Sequence, residues 1–289
     1  MNLPRISLVT NACANDINRI RLIFPHWFSV FGDRISDFTV MLDRYPSTGR
    51  IATLHTTEGA LGHSEKLSAV EVLLYEQMAM EPRMRVLDVP MGAARVAIGH
   101  KWFGARGASI DRCQAGTPVA AFIAALEAGR ERFVLRADCD MLFHEAGWLD
   151  AAIALLASGD ADMVEPPRHR PDRGDFKVTT RATMIDAPAF VRKILPMKPH
   201  SLDPLRSFHR WVRGCPSWLS LEQMLQKERG AGRLRYVVLS PELGQWLHVT
   251  SNDEAGLPMM PSVAEAVRLG HIPDSQRRAG WDFVAEAWE

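Results

Sequence analysis

Strand-like and helix-like hydrophobic patterns alternate through the first half of the chain. Short apolar runs bounded by turn residues predict strands, and longer stretches with apolar residues three or four positions apart predict amphipathic helices. The predicted strands are 6–10, 38–42, 85–89 and 133–137, and the predicted helices are about 16–31, 64–80 and 117–128. This alternation predicts an α/β fold with a mostly parallel central sheet and helices on both faces.

The second half of the chain is less regular and is interrupted by proline-rich turns. Its pattern predicts strands over 163–165, 176–185 and 236–239, and helices over 149–157, 219–228, 263–269 and 281–288. There is no internal repeat, no low-complexity segment and no clear linker. We therefore expect a single domain.

Two carboxylates follow the predicted strand 133–137, in the sequence Asp138-Cys139-Asp140. Residues two apart on an extended backbone point to the same side, so both carboxylates share one side and Cys139 packs on the other. Two carboxylate oxygens on one side suit a hard divalent cation. Carboxylates and such a cation are what is needed to hold a pyrophosphate group.

The same tripeptide pattern recurs at Asp160-Ala161-Asp162, so the pattern alone is weak and needs structural context. This second pair follows the predicted helix 149–157 and precedes the predicted strand 163–165. Ligands in open α/β sheets bind beyond the carboxyl ends of strands. We therefore predict that the first pair is the site and that the second pair is a solvated turn.

Composition and charge restrict the classes of partner. Hydrophobic residues make up 47% of the chain, and Lys+Arg and Asp+Glu are 34 each, which gives a formal net charge of zero. This balance argues against broad electrostatic binding of nucleic acid or an anionic membrane, although a local basic pocket remains open. The four cysteines are scattered, the first residues lack the charged-then-apolar pattern of a signal segment, and no stretch approaches ~18 apolar residues. We therefore expect a soluble cytoplasmic protein with reduced thiols and no transmembrane segment.

The block from Gly116 to Asp140 resembles the GT-A fold glycosyltransferases, in particular family 2-like members. Its helix, glycine turn, strand and Asp-x-Asp are similar to the family's motif block, and the order of elements is similar over roughly residues 5–250. The resemblance implies one domain over 1–289, with a nucleotide-binding half over about 1–140, an acceptor half over about 141–250 and a C-terminal helical extension over about 251–289. It also implies transfer of a sugar from a nucleoside-diphosphate sugar to a hydroxyl of a small-molecule or glycan acceptor, with Mn²⁺ or Mg²⁺ as cofactor.

The resemblance assigns roles to individual residues near the donor. Asp138 and Asp140 are the metal-binding positions of the motif. Thr10 and Asn11, at the end of the first predicted strand, are similar to the family's loop over the nucleoside. Asp43 ends the second predicted strand, where family members often contact the base.

Two further residues have a role that the sequence leaves open. His248 is similar to the family's late metal-side histidine, and a core or surface histidine is the alternative. Arg136 lies on the Asp138 face of its strand, and a buried strand rarely carries an arginine unless it is paired. An ion pair with an aspartate and a contact with phosphate are both open for Arg136.

The arginines that cluster loosely around the following loop either close on a diphosphate or form a solvated face: Arg168, Arg170, Arg173 and Arg181.

The segment Ser220-Leu221-Glu222-Gln223 is similar to the Glu-Asp helix start that supplies the catalytic base in inverting members, except that Gln223 replaces the second acid. This leaves Glu222 as the base, or leaves the inverting mechanism open. Ser220 and Gln223 also have the spacing of a capping box. The alternative role of Glu222 is then to complement the helix dipole.

Two other function classes fit a sheet of this kind. A nucleotidyltransferase is disfavoured because Asn11-Ala12-Cys13-Ala14-Asn15 is not a glycine-rich, cationic phosphate loop. A non-catalytic nucleotide- or carbohydrate-binding protein remains an alternative, since a fold does not fix a function.

Overall fold

The computed structural model describes residues 4–46, 62–113, 118–166, 177–201, 204–212, 218–240, 246–249, 257–280 and 282–288. Within these ranges the strands are β1 (Ile6–Cys13), β2 (Ile35–Asp43), β3 (Met84–Asp88), β4 (Phe133–Ala137), β5 (Met141–Phe143), β6 (Met163–Glu165), β7 (Ala182–Asp186), β8 (Tyr236–Val238) and β9 (Trp246–His248). The α-helices are α1 (Ile17–Phe31), α2 (His63–Met80), α3 (Gly92–Phe103), α4 (Val119–Ala128), α5 (Trp148–Ala157), α6 (Ala187–Ile194), α7 (Pro204–Val212), α8 (Leu221–Gly230), α9 (Met260–Arg268) and α10 (Asp274–Ala279).

Seven strands form the central sheet, in the order β3-β2-β1-β4-β7-β6-β8. The pairs β3–β2, β2–β1, β1–β4 and β6–β8 are parallel, whereas β7 is antiparallel to both β4 and β6. Strands β5 and β9 form a separate antiparallel pair. The predicted mostly parallel α/β fold is confirmed.

Alternation along the buried strands separates two hydrophobic clusters. In β4, Phe133 and Leu135 belong to one cluster and Val134 to the other. The first cluster contains Trp27 of α1, and the second contains Trp102 of α3. Because the two clusters receive alternate residues of the same strand, helices cover both faces of the sheet.

The turn that leads into β4 is held against β1. A Cβ atom at Gly129 would lie 2.8 Å from Val134 Cγ2 and 3.2 Å from Ser7 Cβ, so the close approach of the chain there requires glycine. Ser7 Oγ accepts hydrogen bonds of 2.8 Å from the backbone N–H groups of Arg130 and Glu131. These contacts fix the start of β4 and so the position of the carboxylates that follow it.

Two predictions for the second half are wrong within the described residues. The strand predicted over 176–185 begins only at Ala182, and residue 176 lies outside the described ranges. In place of the terminal helix predicted over 281–288, residues 282–288 form only a short 3-10 turn, Ala285–Ala287, and α10 ends before them at Ala279. The buried amide of Gln276 bonds the carbonyls of Gly280 and Asp282 at 2.8 and 2.9 Å and the N–H of Val284 at 3.0 Å. That side chain satisfies backbone groups that a helix would otherwise have paired.

In the second Asp-x-Asp pair, one aspartate is exposed as predicted and the other is buried. Asp160 is exposed and bonds Ser158 Oγ at 2.6 Å, as predicted for a solvated turn. Asp162 is buried, and its carboxylate bonds Lys193 Nζ at 2.5 Å and the backbone N–H of Arg235 at 2.7 Å. The prediction of a solvated turn is therefore wrong for Asp162.

Candidate active site

A cleft with a volume of about 350 Å³ opens beyond the carboxyl end of β4. The residues of the predicted site that line it are Asn11, Arg136, Asp138, Asp140, Glu222 and His248. They come from β1, β4, the turn after β4, the start of α8 and the end of β9. The sheet and α8 thus bring together side chains that are more than 200 positions apart in the sequence.

Asp138 forms an ion pair with the guanidinium of Arg136, two positions earlier in the chain. Arg136 also donates to the carbonyl of Thr180, and its guanidinium carbon lies 5.5 Å from the centre of the Phe122 ring. The structure therefore gives the buried arginine an aspartate partner. Burial raises the pKa of Asp138 to about 6, against the opposing charge of Arg136 and with the support of the nearby Asp140 and Glu222 carboxylates.

Asp140 contacts His248 because β5 and β9 pair directly behind it, with Met141 opposite His248. His248 Nε2 lies 3.1 Å from Asp140 Oδ2, and His248 Nδ1 lies 2.7 Å from Asp282 Oδ1. Burial lowers the pKa of His248, but the hydrogen bonds to Asp140 and Asp282 outweigh it and raise that pKa to about 9. Burial likewise acts to raise the pKa of Asp140, and the hydrogen bond and charge of His248 overcome this, so that the net shift is downward.

The donor set at this end of the cleft fits a divalent cation as a partial coordination shell. Asp140 Oδ1 is buried and has no hydrogen-bond partner among the described residues, which is a costly state for a carboxylate oxygen. Carboxylate oxygens and an imidazole are ligands that Mn²⁺ and Mg²⁺ accept. In the described ranges, no three His, Cys, Asp or Glu side chains are already arranged to hold a metal ion. The protein groups alone therefore do not complete a shell.

Glu222 lies in the first turn of α8 and lines the same cleft. The predicted capping box is present, since the Gln223 N–H bonds Ser220 Oγ at 3.3 Å and the Ser220 N–H bonds Gln223 Oε1 at 3.1 Å. Glu222 Oε1 accepts from the Thr180 N–H at 2.9 Å and from the hydroxyls of Thr179 and Thr180 at 3.1 and 3.3 Å. Oε2 makes no hydrogen bond to any described residue. One oxygen thus positions the carboxylate, and the other remains able to accept a proton.

Thr10 and Asp43 are the two predicted site residues that do not line the cleft. Thr10 is buried in β1, and its hydroxyl lies 3.4 Å from the carbonyl of Asn11. Asp43 is buried and accepts from the Tyr45 N–H at 3.2 Å and from the Arg112 guanidinium at 3.2 Å. Arg112 precedes Cys113, which does line the cleft. Asp43 therefore supports the rim of the cleft through Arg112.

Two residues of the site had no specific signal in the sequence. Arg181 lines the cleft, and its Nη1 lies 3.0 Å from His248 Nδ1 and 3.8 Å from Asp282 Oδ1. In sequence it was one of four arginines clustered loosely around a loop, and the other three lie outside the described residues. Asp282 reaches His248 through a bridge between the two backbones, where the Phe283 N–H bonds the His248 carbonyl at 2.8 Å. The placement of β7 beside β4 reveals the contacts of Arg181, and the bridge between β9 and the segment after α10 reveals those of Asp282.

Comparison with solved structures identifies the fold of this chain, whereas comparison of the sequence finds no relative. The sequence matches no protein-family model and no curated protein. Among solved structures, the chain is similar to the mannosyltransferase PcManGT from Pyrobaculum calidifontis, solved in complex with GDP-Man and Mn²⁺, with a TM-score of 0.50 and 10% identity. The match covers 93% of this chain and 64% of the mannosyltransferase, so this chain spans less than two thirds of that protein's length.

Two other matches have lower scores. One is the glucosyl-3-phosphoglycerate synthase from Mycobacterium tuberculosis, with a TM-score of 0.43, 13% identity and coverage of 93% of this chain and 80% of that one. The other is the 2-C-methyl-D-erythritol 4-phosphate cytidylyltransferase from Thermus thermophilus, with a TM-score of 0.42, 14% identity and coverage of 90% and 99%. At these scores neither favours one activity over the other. The order of the sheet and the match to the mannosyltransferase together show that this chain has the GT-A fold of glycosyltransferases.

Proposed function

We propose that this protein is a metal-dependent glycosyltransferase that moves a sugar from a nucleoside-diphosphate sugar to an acceptor hydroxyl. The observation that carries the proposal is that Asp138, Asp140 and Glu222 line one cleft. The cleft lies beyond the carboxyl end of a sheet strand, where open α/β sheets bind their ligands. The GT-A fold supports the same activity.

Asp138, Asp140 and His248 would hold Mn²⁺ or Mg²⁺, and the diphosphate of the donor would complete the shell. When bound, the cation supplies positive charge against the departing diphosphate. The buried Asp140 Oδ1, which lacks a partner among the described residues, supports this assignment. Asp282, bonded to the far nitrogen of His248, orients the imidazole, as carboxylates commonly do behind metal-binding histidines.

The donor is held by groups on the walls of the same cleft. Arg136 and Arg181 line it and bring positive charge to the phosphates. Asn11 Oδ1 is buried in the cleft with no partner among the described residues, and it accepts a hydrogen bond from the nucleoside. Thr10 and Asp43 act on the donor indirectly. Thr10 fixes the backbone at Asn11, and Asp43 fixes Arg112 at the rim of the cleft.

Glu222 is the catalytic base of this proposal. Its Oε2 takes the proton of the acceptor hydroxyl as that oxygen attacks the anomeric carbon. The bond from the acceptor oxygen to carbon forms while the bond from carbon to the diphosphate oxygen breaks, and the electron pair leaves with the nucleoside diphosphate. Attack from the face opposite the leaving group inverts the anomeric configuration.

The experiment that tests this proposal is a screen of nucleotide sugars with Mn²⁺, read by release of nucleoside diphosphate. A glycosyltransferase releases nucleoside diphosphate slowly when the sugar passes to water and faster when a suitable acceptor is present. NMR of the product formed with the acceptor gives the anomeric configuration. Release of pyrophosphate from a nucleoside triphosphate would instead identify a nucleotidyltransferase. A thermal shift with nucleoside diphosphate and Mn²⁺, but with no release from any donor, would identify a binding protein.

A further inference from the structure

Helix α7 exposes large apolar side chains on one face. Leu205 is 77% exposed, Phe208 is 59% exposed and Val212 is 65% exposed. They are separated by three and four positions, so they lie on one side of the helix. A contiguous row of exposed apolar side chains is typical of a surface that binds another protein or a membrane.

The sequence around these residues is basic. Helix α7 itself, residues 204–212, contains Arg206 and Arg210 and no Asp or Glu, and Asp203 immediately precedes it. The whole chain has a net charge of zero, so the positive charge is a local excess. An apolar helix face in an arginine-rich sequence is the composition of helices that lie in the surface of an anionic bilayer.

Helix α2 gives the contrast within the same molecule. It also exposes large apolar side chains, with Val72 at 58% and Tyr75 at 66%. Its sequence carries three acids, Glu65, Glu71 and Glu76, and Lys66 as its one Lys or Arg. The two helices thus expose similar apolar side chains but differ in net charge, which is negative for α2 and positive for α7.

The segment that carries α7 leaves and rejoins the domain at the edge of the candidate active site. Ser201 forms an antiparallel bridge with Trp218, and the Leu219 N–H bonds the His200 carbonyl at 2.9 Å. Trp218 also forms a bridge with Cys113, which lines the cleft. The described residues on both sides of α7 therefore lie at the edge of the cleft.

We propose that α7 is a membrane-docking helix that binds the surface of an anionic lipid bilayer. Leu205, Phe208 and Val212 enter the boundary between headgroups and acyl chains, and the positive charge of the segment attracts the lipid phosphates. The attachment is peripheral, since none of the described helices has the length and apolar composition needed to cross a membrane. This docking does not depend on the reaction proposed above.

The test is flotation of the full chain with lipid vesicles. Vesicles of phosphatidylcholine containing phosphatidylglycerol should carry the protein upward, and vesicles of phosphatidylcholine alone should carry much less. The variant Leu205→Ser/Phe208→Ser should reduce binding to the anionic vesicles by about tenfold or more, because two large apolar side chains no longer leave water. The matched control Val72→Ser/Tyr75→Ser should bind like the unmodified protein, and thermal unfolding should show that both variants are folded.

The variant Arg206→Gln/Arg210→Gln tests the electrostatic part and should lower binding by about fivefold per arginine. The proposal is overturned if the unmodified protein does not bind anionic vesicles, or if the α2 control loses as much binding as the α7 variant. It is also overturned if Leu205→Ser/Phe208→Ser leaves vesicle binding intact and instead converts a dimer to a monomer in light scattering. That result would identify α7 as a contact with a second copy of the chain.

Discussion

The two Asp-x-Asp sequences of this chain share a spacing of two carboxylates but lie in different environments. Asp138 and Asp140 follow β4 and line a cleft, whereas Asp160 and Asp162 precede β6. In the first pair, Asp140 Oδ1 is buried with no hydrogen-bond partner among the described residues. In the second pair, Asp162 is fully engaged by Lys193 and Arg235, and Asp160 faces solvent.

The difference shows that position relative to a strand decides what a carboxylate does. At the carboxyl end of a parallel strand the chain turns away from the sheet, and the groups there face an open crevice. At the amino end of β6, Arg235, just before the neighbouring β8, supplies a backbone donor and α6 supplies a lysine, so Asp162 forms a structural ion pair. The predictions below test this division, beginning with the largest expected effect.

Removal of either carboxylate of the first pair should abolish turnover. Asp138→Ala and Asp140→Ala should each lower kcat/KM by about a hundredfold or more, because the charge that stabilises the leaving diphosphate is lost. Asp160→Ala is the matched control, and it should leave the rate unchanged. If Asp160→Ala is the inactivating change, the site has been assigned to the wrong pair.

Glu222→Gln should keep donor binding and lower kcat by about a hundredfold, because an amide cannot accept the proton of the acceptor. Steady-state kinetics and titration of the donor nucleotide measure the two effects separately. Glu76→Gln, at an exposed acid on α2, is the matched control for the loss of one negative charge and should leave kcat unchanged. A near-normal kcat for Glu222→Gln would remove the base, and a product of retained configuration would remove the inverting mechanism.

Asp282→Asn should weaken Mn²⁺-dependent binding of a nucleoside diphosphate by about tenfold to a hundredfold, because His248 loses the carboxylate that orients it. Calorimetric titration with and without Mn²⁺ gives the metal-dependent part. Asp274→Asn, an exposed acid at the start of α10, should have no effect. An equal loss of binding with and without metal would mean that Asp282 acts on the fold alone.

Asp43→Asn should raise the donor KM by about fivefold with a smaller change in kcat, because one hydrogen bond that holds Arg112 at the rim is weakened. Initial-rate kinetics over a range of donor concentrations measure this. An unchanged donor KM would separate Asp43 from the donor altogether.

Asp162→Ala should leave kcat unchanged and lower the free energy of unfolding by about 1–3 kcal/mol, since the Arg235 N–H loses a buried acceptor. Burial acts to raise the pKa of Asp162, but the hydrogen bonds from Lys193 and Arg235 lower it overall. The carboxylate therefore stabilises the fold above the ordinary aspartate pKa of about 3.9, and this contribution is lost as the pH falls through the lower folded-state pKa. Chemical denaturation should show the difference between variant and parent at neutral pH and its disappearance in acid. A drop in kcat would contradict the division between the two pairs.

The sequence by itself determined the elements that local pattern controls. The strands of the first half and the helices between them follow from apolar runs and helical spacing, and β4 was predicted at its observed bounds, Phe133–Ala137. The order of strand and helix was also enough to place Asp138 and Asp140 after a strand and Asp160 and Asp162 before one, and the choice of the first pair as the site stays a prediction. Helix α3 was missed, since the glycines at positions 92 and 99 weaken its helical pattern.

Tertiary structure alone decided which distant groups meet. The pairing of β5 with β9 brings His248 to Asp140, and the segment after α10 brings Asp282 to His248. Arg181 enters the cleft because β7 lies beside β4, and Asp43 does not line the cleft but binds Arg112. The physical reason is the same in each case. Hydrophobic periodicity encodes which face of an element is buried, but contacts between elements far apart in sequence depend on strand order and on packing, which no local pattern contains.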